Sequence, residues 1–242
     1  MKALVTGINS LINRVLADKL GAMGYEVVGH YHSENELTAE LKQVGQLELL
    51  QADFADPASV LTFLETLKKM APFDVIVNGA VCYVEADGWE PQLDYEQWQE
   101  SFSVNTTVPG LIMANAGTLV ADHGIVVNIS SVMGAPNFGD TQFTIYGASK
   151  AALDLLTSTY AKRFAPRIRV AGIAPAYVHS AWNKDMDKDE LKEVVRDHLT
   201  RRLIEPAEIA DLMEAIINNP SITATTIPID GGYSSPIIPP KD

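Results

Sequence analysis

The chain has a single cysteine, Cys82, among 242 residues. That excludes an internal disulfide framework and every cysteine-cluster metal site, and it suits a reducing compartment. Basic residues are scarce: 18 Lys and Arg stand against 31 Asp and Glu, a formal charge of −13. So acidic a surface argues against nucleic acid or an anionic membrane as partner, because both are polyanions. No run approaches the roughly 20 apolar residues that a membrane helix needs. No Pro/Gly/Ser tract or repeat divides the sequence, so one domain over 1–242 is expected, with an irregular tail at 234–242. Met1 to Gly7 enters a strand-like run without signal-peptide anatomy, so the expected location is the cytoplasm. What is plentiful is apolar: 47% hydrophobic against 20% charged residues supplies a packed core.

Short strand-like runs alternate with longer helical patterns. The runs are Ala3–Val5, Glu26–Gly29, Leu47–Leu50, Asp74–Val77, Ile125–Ile129, Arg169–Ile173 and Thr226–Ile229. Helical patterns cover 11–23, where Leu11, Ile12, Val15, Leu16, Leu20 and Met23 form a stripe, then 57–70, 94–121, 143–164, 188–199 and 206–218. Strands separated by helices need crossovers, which predicts an α/β fold: a doubly wound, Rossmann-like parallel sheet in three αβα layers. Ligands of such sheets sit at the carboxyl ends of the strands. Thr6-Gly7, Tyr31-His32-Ser33, Asp53, Asn78, Ser130-Ser131 and Pro175-Ala176 each follow a predicted strand, so one rim collects them. The acids Glu85, Asp87, Glu90, Asp94, Glu96 and Glu100 have no ligand spacing and read as a solvated face, and His30-x-His32 lacks a third ligand; no metal is expected.

Tyr146-Gly147-Ala148-Ser149-Lys150 is the strongest local signal. A spacing of four puts Tyr146 and Lys150 on one helix face, where an ammonium would lower the phenol's pKa and make it a usable acid or base. Thr6-Gly7, Asp53, Asn78-Gly79-Ala80, Asn105, Ile129-Ser130-Ser131-Val132-Met133-Gly134, Pro175 to Ser180 and Ile229-Asp230-Gly231-Gly232 accompany it in order. With these motifs the whole chain resembles the short-chain dehydrogenase/reductase family.

The resemblance implies hydride transfer between a nicotinamide cofactor and a carbonyl or alcohol. It implies a catalytic tetrad of Asn105, Ser131, Tyr146 and Lys150. Tyr146 would protonate the carbonyl oxygen, Ser131 would position it, Lys150 would lower the tyrosine pKa and hold the ribose, and Asn105 would anchor a proton-relaying water. Ser130 is the competing serine. Cofactor contacts are expected from Thr6, Gly7, Ser10, Leu11, Ile12, Tyr31, His32, Ser33, Asp53, Phe54, Asn78, Gly79, Ala80, Tyr146, Lys150, Pro175, Ala176, Val178 and Ser180. A homodimer or homotetramer built on 94–121 and 143–164 is likewise implied.

The pattern has gaps. Of the family's three loop glycines only Gly7 remains; Leu11 and Asn13 fill the other positions, and both are expected to crowd the loop. Gly79 stands for the family's second asparagine, Val81 for a glycine, Ala176 for a glycine and Ser180 for a threonine. At the second strand end no acid is present to bind a ribose hydroxyl, while Tyr31, His32 and Ser33 could serve a 2′-phosphate, so NADP is preferred and NAD left as the alternative. Tyr83, Phe138, Phe143, Tyr177 and Trp182, with Trp89 and Met186, are the expected substrate contacts and suggest a small apolar or aromatic ketone. His30 to Ser33 and Gln51 to Phe54 echo pteridine reductases, and Ser33-Glu34-Asn35 echoes 3-oxoacyl-acyl-carrier-protein reductases. The competing reading is a non-catalytic dinucleotide-binding or regulatory protein, motivated by the degraded loop.

Overall fold

A computed structural model describes residues 1–44, 47–83, 94–136, 138, 141–180 and 186–235. Among them seven strands form one parallel sheet: β1 (Lys2–Thr6), β2 (Glu26–Tyr31), β3 (Glu48–Gln51), β4 (Phe73–Asn78), β5 (Val120–Ile129), β6 (Arg169–Pro175) and β7 (Thr226–Ile229). The order β3-β2-β1-β4-β5-β6-β7 reverses direction between β1 and β4, which opens a crevice at their carboxyl ends. The helices are α1 (Leu11–Ala22), α2 (Glu36–Val44), α3 (Pro57–Met70), α4 (Tyr95–Phe102), α5 (Val108–Ala114), α6 (Ala116–Leu119), α7 (Thr144–Phe164), α8 (Lys188–Asp197) and α9 (Pro206–Asn218).

Alternate strand residues feed two cores, as the period of two requires. Val5, Val77 and Val127 pack with Leu16 and Leu20 of α1 and Met213 of α9. Leu4, Ile76 and Val126 pack with Leu67 of α3, Ile112 of α5 and Leu153 of α7. Local chemistry fixes the helix starts. Ser10 accepts from the Asn13 amide, Asp56 caps α3 ahead of Pro57, and Glu205 and Glu208 form a capping box around Pro206. Among the described residues no helix is long and apolar enough to cross a membrane.

The structure departs from the sequence reading in two places. The polar segment before the third strand forms α2, which the apolar pattern did not reveal. The helix expected over 94–121 is broken: a π-helical turn at Ser103–Thr107 follows α4, and the backbone leaves helix at Val120 to start β5 five residues early. In the tail at 234–242, Ser234 lies in a turn and Ser235 in a bend, Ser234 is tied by its amide and hydroxyl to Asp230, and 236–242 lie outside the described residues.

Candidate active site

The glycine loop keeps its shape through residues the family pattern would not anticipate. Gly7 sits at φ +70, and a Cβ there would lie 2.7 Å from Ala80 Cα, so no side chain fits. Asn13 is buried, and its Nδ2 donates to Gly7 O at 2.9 Å and Gly79 O at 2.8 Å. It therefore staples the loop to the end of β4 instead of crowding it. Gly79 is its counterpart: a Cβ there would meet Asn13 Oδ1 at 2.3 Å. Leu11 points outward, 41% exposed, so it too leaves the loop uncrowded.

His30 braces the loop from the other side. Gly7 N donates to its Nδ1 at 3.2 Å, and its Nε2 lies 3.0 Å from Ala52 O, which fixes the neutral ring with the proton on Nε2. The ring stacks on Phe54 at 3.9 Å. Burial pushes its pKa down to about 4. A latch closes over the loop: Asn9 Nδ2 donates to Ser33 O and Asn35 Nδ2 to Asn9 O, both at 2.9 Å.

A cavity of about 390 Å³ runs from this loop to α7, lined by Ser10, Leu11, Ile12, Gly79, Ser131, Tyr146, Lys150, Pro175, Ala176, Val178 and Ser180. It adjoins a second of about 430 Å³ between Tyr83, Phe143, Tyr146, Tyr177, Met186 and Glu190. Both open at the sheet crevice. The first-turn N–H groups of Leu11 and Ile12 have no acceptor inside α1, and with the positive helix end they suit a pyrophosphate. The residues present thus fit a dinucleotide.

Four expected cofactor contacts have partners inside the protein. Thr6 Oγ1 accepts from Gly79 N and Ala80 N at 3.0 and 3.1 Å, joining β1 to β4. Asn78 is buried and donates to Asn128 Oδ1 at 2.8 Å. Phe54 lies under His30 in the core. Tyr31 is buried against α1 and α2 with Lys42 over its ring, because alternation turns it away from the face His30 takes. His32 and Ser33 are exposed just past the end of β2, with His32 Nε2 3.7 Å from Asp53 Oδ2. Glu34 is paired with Lys42. Of the expected substrate contacts, Tyr83 has its ring centre 5.2 Å from that of Tyr146 and 5.6 Å from that of Phe143. Phe138 packs on Tyr233 at 5.4 Å and does not line the second cavity. Trp89 and Trp182 lie outside the described residues.

Three of the four expected catalytic residues, Ser131, Tyr146 and Lys150, line one cavity, and Asn105 stands behind them through Ser149. Tyr146 is hydrogen-bonded to Ser131, whose Oγ also accepts from Met133 N at 3.2 Å. Lys150, buried, holds its Nζ 5.6 Å from the Tyr146 ring centre and donates to Ile129 O at 2.9 Å. Asn105, in the π turn, exchanges hydrogen bonds with the Cys82 backbone at 2.9 and 2.7 Å and reaches Ser149 Oγ at 3.0 Å. A π turn re-aims a side chain that a regular helix would leave on another face. One electrostatic expectation is reversed. Burial pushes Tyr146 up to about 12, only partly offset by Ser131, and pushes Lys150 down to about 8. Among the described residues no three His, Cys, Asp or Glu side chains converge as a metal site.

Comparison with known proteins agrees with this geometry. A family model described as enoyl-(acyl carrier protein) reductase matches residues 7–234. Bovine L-xylulose reductase is 28% identical, with 96% of each chain covered. The 3-oxoacyl-[acyl-carrier-protein] reductase FabG of Escherichia coli K12 is 28% identical over 95% of this chain and 96% of its own. The Pseudomonas aeruginosa RhlG/NADP complex superposes with a TM-score of 0.85 at 26% identity, covering 96% of both chains. The chain belongs to the short-chain dehydrogenase/reductase family, oxidoreductases that interconvert C=O and CH–OH groups.

Proposed function

We propose that this protein is an NADPH-dependent reductase of a small apolar or aromatic ketone. The observation that carries the reading is the cluster of buried Ser131 and Lys150 with half-buried Tyr146 at the junction of the two cavities. The Leu11 and Ile12 N–H groups would take the pyrophosphate, Lys150 the nicotinamide ribose, and the Pro175 to Ser180 segment the nicotinamide side. Ser33 and His32 would take the 2′-phosphate, and the Glu34–Lys42 pair offsets one of the opposing charges nearby. The cofactor, when bound, supplies the hydride. That RhlG is described with NADP supports the same preference here.

Tyr146 Oη keeps its proton throughout the physiological range, because burial disfavours the phenolate. That suits a donor of a proton to a carbonyl oxygen. Ser131 Oγ orients the oxygen beside it, and both hydroxyls stabilise the developing alkoxide in a site sheltered from water. Tyr83, Phe143 and Tyr177 shape an apolar wall, and Asn105 fixes the Cys82 backbone below Tyr83. The non-catalytic reading rested on the degraded loop, whose gap the Asn13 amide fills.

We read the enzyme as one cytoplasmic domain that pairs with copies of itself through α5 and α7, where Leu111 and Leu155 are exposed. Sedimentation would check the assembly. The function is tested by following NADPH oxidation with a panel of aryl and alkyl ketones. Ketone-dependent oxidation supports it; nucleotide binding without turnover on any carbonyl would favour the regulatory reading.

A further inference from the structure

Asp154 follows Lys150 by one helical turn, so the two side chains leave α7 on the same face. Its Oδ1 accepts from Thr226 Oγ1 of β7 at 2.9 Å, and its carboxylate also takes a hydrogen bond from Ser130 at the end of β5. Ser130 Oγ in turn reaches Lys150 O at 3.5 Å. Three elements therefore anchor one carboxylate beneath the active-site lysine.

Lys150 itself is buried. It is 2% exposed, and among the described residues its Nζ donates to a single acceptor, Ile129 O. An ammonium taken out of water is stabilised by an opposite charge held nearby. Tyr146 faces it from α7, and Tyr83 stands behind Tyr146. β5 offers a serine and a carbonyl, and β7 a threonine, none of them charged. Asp154 is the one charged group among the described residues that acts on Lys150, and it favours the ammonium. The effect is mutual, since Lys150 favours the Asp154 carboxylate against its burial.

We propose that Asp154 is a positioning residue of this active site: held by Thr226 and Ser130, its carboxylate keeps the charge on the Lys150 ammonium. This also gives Ser130, the serine that does not face the carbonyl site, a role distinct from that of Ser131. The catalytic consequence rests on the reductase reading, but the coupling itself does not.

The test is a titration of the Lys150 Cε signal by NMR in full-length, ¹³C-lysine-labelled protein without nucleotide, assigned with Lys150→Met. In Asp154→Asn with a native melting profile, the Lys150 midpoint should fall by about one pH unit or more, the scale of a nearby opposite charge. An unchanged midpoint overturns the proposal. If Asp154→Asn does not fold, the reciprocal measurement decides: Lys150→Met should raise the titration midpoint of the Asp154 carboxyl, and no rise overturns it. Neither arm uses substrate, so failure here is separable from wild-type protein lacking ketone turnover, which would overturn the reductase reading instead.

Discussion

Asn13 and Gly79 form one joint: the Asn13 amide donates to the Gly79 carbonyl at 2.8 Å, and a Cβ on residue 79 would stand 2.3 Å from Asn13 Oδ1. Each departs from the family pattern, and each makes sense only with the other. Asn13→Gly leaves the Gly7 and Gly79 carbonyls without their donor, at a cost of about 2 kcal/mol for two buried hydrogen bonds. A lower melting temperature and weaker NADPH binding by calorimetry are expected. Gly79→Ala should destabilise as well, while Asn13→Gly with Gly79→Asn should recover part of the loss. Tighter binding in Asn13→Gly would show that the amide crowds the loop after all.

His30 makes stability depend on pH. Its folded pKa of about 4 lies below the ordinary 6.5, so the unfolded chain takes up the proton first as pH falls. The contribution is full above pH 6.5 and is lost as pH drops toward 4, a swing of about 3 kcal/mol. Melting curves between pH 8 and 4.5 should show this decline, and His30→Phe should flatten it despite a lower starting stability. Parallel declines in both proteins would assign the pH dependence to other groups.

Cofactor choice should respond at Ser33 and not at Tyr31. Ser33 is exposed just past the end of β2, so Ser33→Arg can add a bidentate phosphate clamp and raise the NADPH over NADH affinity ratio. Tyr31 is in the core, so Tyr31→Asp should destabilise the fold by burying a charge and should not recruit NADH. Dissociation constants for both nucleotides at one salt concentration check this, and wild-type preference for NADH would contradict it.

The sheet was legible because parallel strands buried on both faces read as near-continuous apolar runs, as Val75-Ile76-Val77 does. The Ser131, Tyr146 and Lys150 candidates could be named because their spacing is local or tied to a strand end. What stayed hidden depended on long-range partners. Asn13 reads as an intruder until Gly79, 66 residues away, is beside it. Tyr31 was assigned to the pocket from its place at a strand end, whereas the pleat decides which face it takes. The π turn around Asn105 left no trace in an apolar stripe that continues through it. α2 was more accessible: Asn35 Oδ1 accepting from Thr38 N is a cap signal present in the residues themselves.

The most direct test of the whole account is Tyr146→Phe. The substitution removes the phenolic proton and leaves the ring that packs against Tyr83. Single-turnover measurement with prebound NADPH and a reactive ketone should show reduction slowed by roughly 10²-fold or more, the usual scale of general acid help, with nucleotide affinity unchanged. Near-native reduction at unchanged affinity would contradict the assignment of Tyr146 as the proton donor.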